Sequence, residues 1–247
     1  AGGRPEYLLS TVLLPDADID VLETITGQLD AEADRLGLTI AGGHTEVVAG
    51  LERPLCSLTC LGMADRFVAT GGASPGDRIL LTKGAGIEAT GVLATDFRDR
   101  LDLAPDMLDR ATAAFDDLSV MPEAAALAPT ATAMHDPTEG GVLEGLIEMA
   151  LAGGVTLRVD RDAVHVRTAT RAVCDAAGVD PLRVLGSGAL LVTVADDDAD
   201  AALAALHEEG IEAVAIGQVE AGDPAVEMGE ERYTESIRDD MYALWAE

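Results

Sequence analysis

The chain has 247 residues, enough for one large or two modest domains, and 48% hydrophobic with 25% charged residues describes a globular protein, not a disordered one. Its 45 acidic against 16 basic residues give a net charge of −29, which argues against nucleic acid as a partner, because phosphate neutralisation needs clustered Lys and Arg. No apolar run is long enough to span a membrane and no basic-then-apolar leader is read, so the expectation is a cytoplasmic protein with no membrane partner.

The first residues, Ala1-Gly2-Gly3-Arg4-Pro5, lead without an initiator Met into an apolar strand, Tyr7 to Leu14, and read as a fragment or processed form. Ile19, Leu22, Ile25, Leu29, Ala33 and Leu36 recur at helical spacing over Asp18 to Leu36, and Gly37 ends that helix. A strand over Leu38 to Ala41 is then predicted to meet a glycine turn, Gly42-Gly43-His44-Thr45-Glu46. Leu55 to Met63 reads as a strand carrying Cys56 and Cys60 on one face. With Cys174 the cysteines number three, too few and too odd for a disulfide framework; Cys56 and Cys60 are expected as buried core thiols, a zinc pair lacking the second pair of ligands it needs.

Thr70 to Asp77 is rich in turn formers and reads as a linker. Beyond it, a short strand Arg78 to Thr82 leads through the loop Lys83-Gly84-Ala85-Gly86 into a helix, Ile87 to Phe97. Helices follow near Pro105 to Leu118 and Pro122 to Leu127. The segment Met134-His135-Asp136-Pro137-Thr138-Glu139-Gly140-Gly141-Val142 then enters a helical run to Ala150, with Asp136 or Thr138 as its cap. Strands are predicted at Val155 to Val159, Ala189 to Val194 and Ala213 to Val219, and helices at Val166 to Ala177, Ala199 to Glu209 and Ile237 to Trp245. Mixed strands and helices without a repeat place the fold in the α+β or mixed α/β class.

Gly140 and Gly141 cost about 1 kcal/mol each against Ala in a first helical turn. Two readings stay open: exposed N–H groups for an anion, or a tight helix–strand contact with no ligand. Lys83, the only lysine of the chain, sits where it would reach a phosphate as a point charge. His44 is read either as a metal ligand, with Asp136 or Glu46 beside it, or as a turn residue bonded to a carbonyl. Neither a Walker loop nor a dinucleotide fingerprint is present.

Taken in order, these segments resemble the aminoimidazole ribonucleotide (AIR) synthetase-like superfamily. The likeness rests on Gly42 to Glu46, on Ala73-Ser74-Pro75-Gly76-Asp77-Arg78-Ile79-Leu80, on the Asp136 to Gly141 segment, and on Gly186-Ser187-Gly188-Ala189-Leu190-Leu191. The third is similar to the Asp-Pro-Thr-Arg-Gly-Gly signature of the hydrogenase-maturation carbamoyl dehydratase branch. The resemblance implies a partial N-terminal barrel-forming domain over 1–72 and a C-terminal α/β domain over 73–247. It implies a homodimer that uses ATP and Mg²⁺ to activate an oxygen or amide-type small-molecule substrate by phosphoryl transfer. On that footing Asp136, Glu46 and Lys83 are expected to be catalytic, His44 to bind metal, and Gly42, Gly43, His44, Thr45, Gly84, Gly140 and Gly141 to bind the nucleotide. The departures are His44 at the acid of a Gly-Gly-acid-Thr element, Glu46 and Glu139 in place of Lys and Arg, and no cysteine after Cys174. They leave room for a non-catalytic nucleotide-binding or assembly homodimer. A metallohydrolase built on His44, His135 and Asp136 is a third expectation.

Overall fold

The computed structural model describes residues 2–246, which pack as two compact units, Gly3–Asp65 and the remainder from Arg66 together with Gly2. The division falls ahead of the Thr70-Gly71-Gly72 linker. Arg66 is tied to the larger unit by guanidinium hydrogen bonds to the carbonyls of Ala128, Pro129 and Ala131.

The smaller unit is a βαβ crossover followed by a third strand: β1 (Arg4–Leu14), α1 (Ile19–Leu36), β2 (Thr39–Val47) and β3 (Leu55–Met63). The sheet order is β2-β1-β3, with β2 parallel and β3 antiparallel to β1. The Asp18 carboxylate caps α1 by accepting from the N–H groups of Asp20 and Val21, and left-handed Gly37 closes it. Leu8, Val12 and Leu14 alternate along one face of β1 and are buried, while Tyr7 and Leu9 on the other face stay exposed. On that open face lie Leu55, Leu61 and Met63 of β3, also exposed. The sheet is not closed into a barrel.

Two expectations fail here. Gly42 to Glu46 is no turn, because β2 runs through it from Thr39 to Val47 in register with β1. Gly43 lets this happen: a Cβ there would sit 2.2 Å from the Ser10 carbonyl oxygen. Cys56 and Cys60 are exposed and not buried, because β3 is an edge strand whose side chains all reach the surface; Cys174 is buried. Burial pushes the Cys174 thiol up to about 12, which keeps it protonated and inert.

The larger unit holds a seven-stranded, mostly antiparallel sheet of order β10-β9-β6-β8-β4-β7-β5. Its strands are β4 (Arg78–Thr82), β5 (Ala131–His135), β6 (Thr156–Val159), β7 (Leu191–Val194), β8 (Ala213–Glu220), β9 (Ala225–Met228) and β10 (Glu231–Tyr233). Its helices are α2 (Ile87–Asp96), α3 (Pro105–Thr112), α4 (Met121–Leu127), α5 (Gly141–Gly153), α6 (Thr168–Ala177), α7 (Ala199–Glu208) and α8 (Met241–Trp245).

Both faces of this sheet are covered, and alternation along β4 shows how. Ile79 and Leu81 join the core that contains Leu143, Leu146 and Ile147 of α5, whereas Leu80 joins the core of Leu127, Ala202 and Leu206 from α4 and α7. A third cluster packs α2, α3, α6 and α8 around Leu93, Leu108, Val173 and Met241. The Asp77 carboxylate fixes the start of the unit: it accepts from Ser74 N–H at 2.9 Å and from the Thr132 hydroxyl at 2.6 Å. The predicted helix from Ile237 is shorter than expected, starting at Met241. Among the described residues no helix is long and apolar enough to cross a membrane.

Candidate functional site

Strand directions bring several chain segments to one edge of the large sheet. Because β4 and β5 both run antiparallel to β7, their C-terminal ends share an edge with the start of β7. The loops Lys83–Gly86, Asp136–Gly141 and Gly186–Gly188 therefore all lie there. Strand ends of an open sheet are where binding loops gather on a rigid scaffold.

The three glycine segments do converge, and what they meet is each other. Gly86 and Gly140 are left-handed (φ 67° and 73°) and begin α2 and α5. The helix N-terminal amides are then received by the 182–187 backbone. Glu88 donates to Ser187 O, Ala89 to Leu185 O and Leu143 to Leu182 O, at 3.0–3.2 Å. Gly186 donates back to Thr138 O at 2.9 Å. A Cβ on Gly141 would stand 2.4 Å from Val184 O, and one on Gly186 would stand 3.1 Å from the Gly141 Cα. Glycine is needed here for the approach of backbone to backbone.

The last expected phosphate donor is also engaged. Gly140 N–H donates to Asp239 Oδ2 at 2.7 Å, and Asp239 Oδ1 accepts from Met241 N–H at 2.8 Å. Asp239 is buried, and burial raises its carboxyl above the ordinary Asp range even though the two N–H groups pull it down. Neither Asp136 nor Thr138 caps α5. The carboxylate at that helix start arrives from 99 residues downstream, so no local pattern would have revealed it. Beside it, buried Glu144 accepts from Ile237 N–H at 2.8 Å, fixing the same strap to α5.

Lys83 is held inside the chain as well. It has φ 57°, the sole non-glycine positive φ among the described residues. Its ammonium sits 2.7 Å from Glu123 Oε1 and donates to Asp117 O (2.9 Å) and Ser119 O (2.7 Å), which uses all three protons. Gly84 accommodates His165: a Cβ would lie 2.8 Å from His165 O and 3.0 Å from its ring. Sequence reasoning missed Glu123, the partner that explains why this lysine is a lysine.

What remains free at the edge is acidic. Asp136, Thr138 and Glu139 are exposed beyond β5. Behind them His135 Nε2 lies 2.6 Å from Glu148 Oε2 on α5, and its Nδ1 lies 3.4 Å from the Thr70 hydroxyl. In the smaller unit His44 and Glu46 project from the open face of β2, opposite Thr11 and Leu13, with His44 Nε2 3.2 Å from Glu46 Oε2. Gly42 shares that face and leaves its backbone open, since a Cβ would meet only a Leu9 methyl at 3.8 Å. Thr45, opposite Val12, points to the other face with Gly43. Among the described residues no three His, Cys, Asp or Glu side chains are grouped to hold a metal ion.

Comparison with known proteins accounts for nearly the whole chain. Residues 74–229 match the family model "AIR synthase related protein, C-terminal domain", and residues 1–64 match the corresponding N-terminal domain. The carbamoyl dehydratase HypE of Rhizobium leguminosarum bv. viciae is 31% identical over 230 residues, which is 90% of this chain and 65% of that protein. The selenide, water dikinase of Geobacter metallireducens is 30% identical over 250 residues, 88% of this chain and 70% of that protein. A crystal structure of the hydrogenase maturation protein HypE in complex with ATP superimposes with a TM-score of 0.78 at 26% identity, covering 96% of this chain and 75% of that one. The chain thus spans just under two thirds of the length of the HypE relatives it matches. With both family domains matched in order along the chain, the chain belongs to the AIR synthase related protein family.

Proposed function

We propose that the protein is an ATP-dependent enzyme of the hydrogenase-maturation type, acting on an oxygen or amide-type acceptor. The observation that supports this best is a likeness running through both units to an ATP-complexed HypE, 26% identical over 96% of the chain. ATP supplies a γ-phosphoryl group that turns an amide-type oxygen into a leaving group, a reaction in which positioning and charge neutralisation carry most of the rate.

The residues divide sharply in their fit to a nucleotide. The glycine turns of the larger unit do not fit a triphosphate, because the amides of Gly140 and Gly141 and the Lys83 ammonium are all spent inside the chain. The open strip of β2 does fit: Gly42 leaves backbone uncovered, His44 offers a ring N–H, and Glu46 offers oxygens that suit Mg²⁺ better than an imidazole does. We therefore assign nucleotide contact to Gly42, His44 and Glu46. Gly43 and Thr45 hold the strand against β1, and Lys83, Gly84, Gly140 and Gly141 hold the sheet edge. Asp136, exposed at that edge, is the acceptor-side acid or base. The open apolar face of Tyr7, Leu9, Leu61 and Met63 is the surface that a second copy of the chain covers.

Calorimetric titration of the purified chain with ATP and Mg²⁺ at high salt tests this reading. Saturable binding that weakens at least tenfold in His44→Ala and Glu46→Gln, with Gly140→Ala leaving it unchanged, is expected; no heat of binding at saturating Mg²⁺ overturns it. The engaged state of Lys83 and the acidic Glu139 favour one second reading, a nucleotide-binding homodimer without turnover. Release of ADP together with a phosphorylated product removes that second reading.

A further inference from the structure

A cleft on the same edge of the large sheet is used by nothing described so far. It lies where β4 ends, β8 begins and α7 crosses, and it encloses about 420 Å³. That size falls in the range of small-molecule sites, roughly 300–1,000 Å³, and far exceeds the ~30 Å³ share of one water. Leu203, Ile211 and Val214 give it an apolar lining. The polar groups are His165, His207 and the Glu212 carboxylate, all exposed, beside Lys83.

Charge decides the ligand class. Lys83 borders the cleft, but its ammonium is consumed by Glu123 and two carbonyls, so no free cation awaits a phosphate, and the Glu212 carboxylate disfavours any anion. Each neutral imidazole offers one N–H donor. His165 is not loosely placed: its carbonyl accepts from Ala85 N–H at 2.9 Å, and its ring packs on Gly84, where any side chain would displace it. A molecule resting against His165 thus presses on the Lys83–Gly86 loop that begins α2.

We propose that this cleft binds a neutral, mainly apolar small molecule carrying a hydrogen-bond-accepting group, seated between Leu203 and Ile211 and held by His165 and His207. The inference stands apart from the nucleotide reading and survives its failure. The probe is 6-propionyl-2-(dimethylamino)naphthalene, a neutral dye whose fused rings and carbonyl acceptor match the cleft, followed by its fluorescence on the full chain. Wild type is expected to show one saturable phase. Leu203→Trp, which fills the wall, abolishes that phase, and His207→Ala, on the exposed last turn of α7, weakens it about tenfold, the effect of one lost hydrogen bond of ~1.4 kcal/mol. Dye bound elsewhere on the chain gives a background that neither change moves. Circular dichroism melting checks folding of both variants; if Leu203→Trp fails to fold, the His165→Ala and His207→Ala pair decides alone. A titration that is the same in wild type and in the folded variants overturns the proposal.

Discussion

Asp239 carries a cost that its neighbours only partly offset. Two backbone amides stabilise its anion, yet burial still holds its carboxyl above the ordinary Asp value. A raised folded-state pKa means a contribution to stability that is fully present below the unfolded value, about 3.9, and is lost as pH rises through the folded one. The stability of wild type minus that of Asp239→Asn should therefore fall with rising pH across that window and stay flat above it. Urea midpoints between about pH 3.5 and 8 read this directly, and a difference that grows with pH would contradict the assignment. Asp239→Ala is a separate matter: it strands two buried N–H groups and should cost about 1–3 kcal/mol for each.

Lys83 and Glu123 make the second residue-scale prediction. Glu123 is 1% exposed, and its Oε2 has no hydrogen-bond partner, so its charge depends on the ammonium. Lys83→Met should destabilise by about 3–5 kcal/mol by leaving that carboxylate alone, while Lys83→Met with Glu123→Leu should recover most of the loss. A double-mutant cycle by chemical denaturation checks it, and additive effects would show that the pair is not coupled.

At the scale of elements, the junction of α2, α5 and the 182–188 loop depends on missing side chains. Gly141 and Gly154 both have positive φ, 63° and 67°, but only Gly141 faces backbone within van der Waals reach. Gly154→Ala should cost only the left-handed strain, about 1–2 kcal/mol. Gly141→Ala adds a clash at 2.4 Å from Val184 O and should exceed that by at least about 2 kcal/mol. Equal melting points for the two variants would show that the junction yields freely.

The same elements explain what could be seen in the sequence. Helical spacing with a clear stop at Gly37 located α1, and the short apolar run from Arg78 to Thr82 located β4, because these signals are local. The glycine segments were legible as special positions but not as contacts: two glycines in a first turn serve a phosphate or a neighbouring backbone equally well, and the deciding partners, Leu182 to Ser187 and Asp239, lie far along the chain. Gly42-Gly43 read as a turn because strand propensity penalises glycine, whereas tight packing on Ser10 required it. Helix was overextended to Ile237, where the amides of Ile237 and Met241 bond to Glu144 and Asp239 instead of to a preceding turn. The hairpin of β9 and β10, only four and three residues long around Gly229, lay below the length at which alternation is detectable.

For the molecule as a whole, 45 carboxylates against 16 basic residues make repulsion a collective property that no single ion pair can cancel. Several arginines are already committed; Arg158 alone faces Glu220 and Glu227. Runs such as Asp196-Asp197-Asp198 have no comparable supply of partners, and only Asp196 reaches one, Arg78 at 3.9 Å. Salt should therefore stabilise the fold by screening, most steeply where the Debye length shrinks from about 10 Å at 0.1 M to about 3 Å at 1 M. Melting points in KCl should rise steeply at first and then level off, while Asp197→Lys with Asp198→Lys should flatten the initial rise. The curvature matters, because preferential exclusion of salt from apolar surface would instead keep raising stability with added salt. A rise that stays linear throughout, and is untouched by the two charge reversals, would place the salt effect in the core and not in the acidic surface.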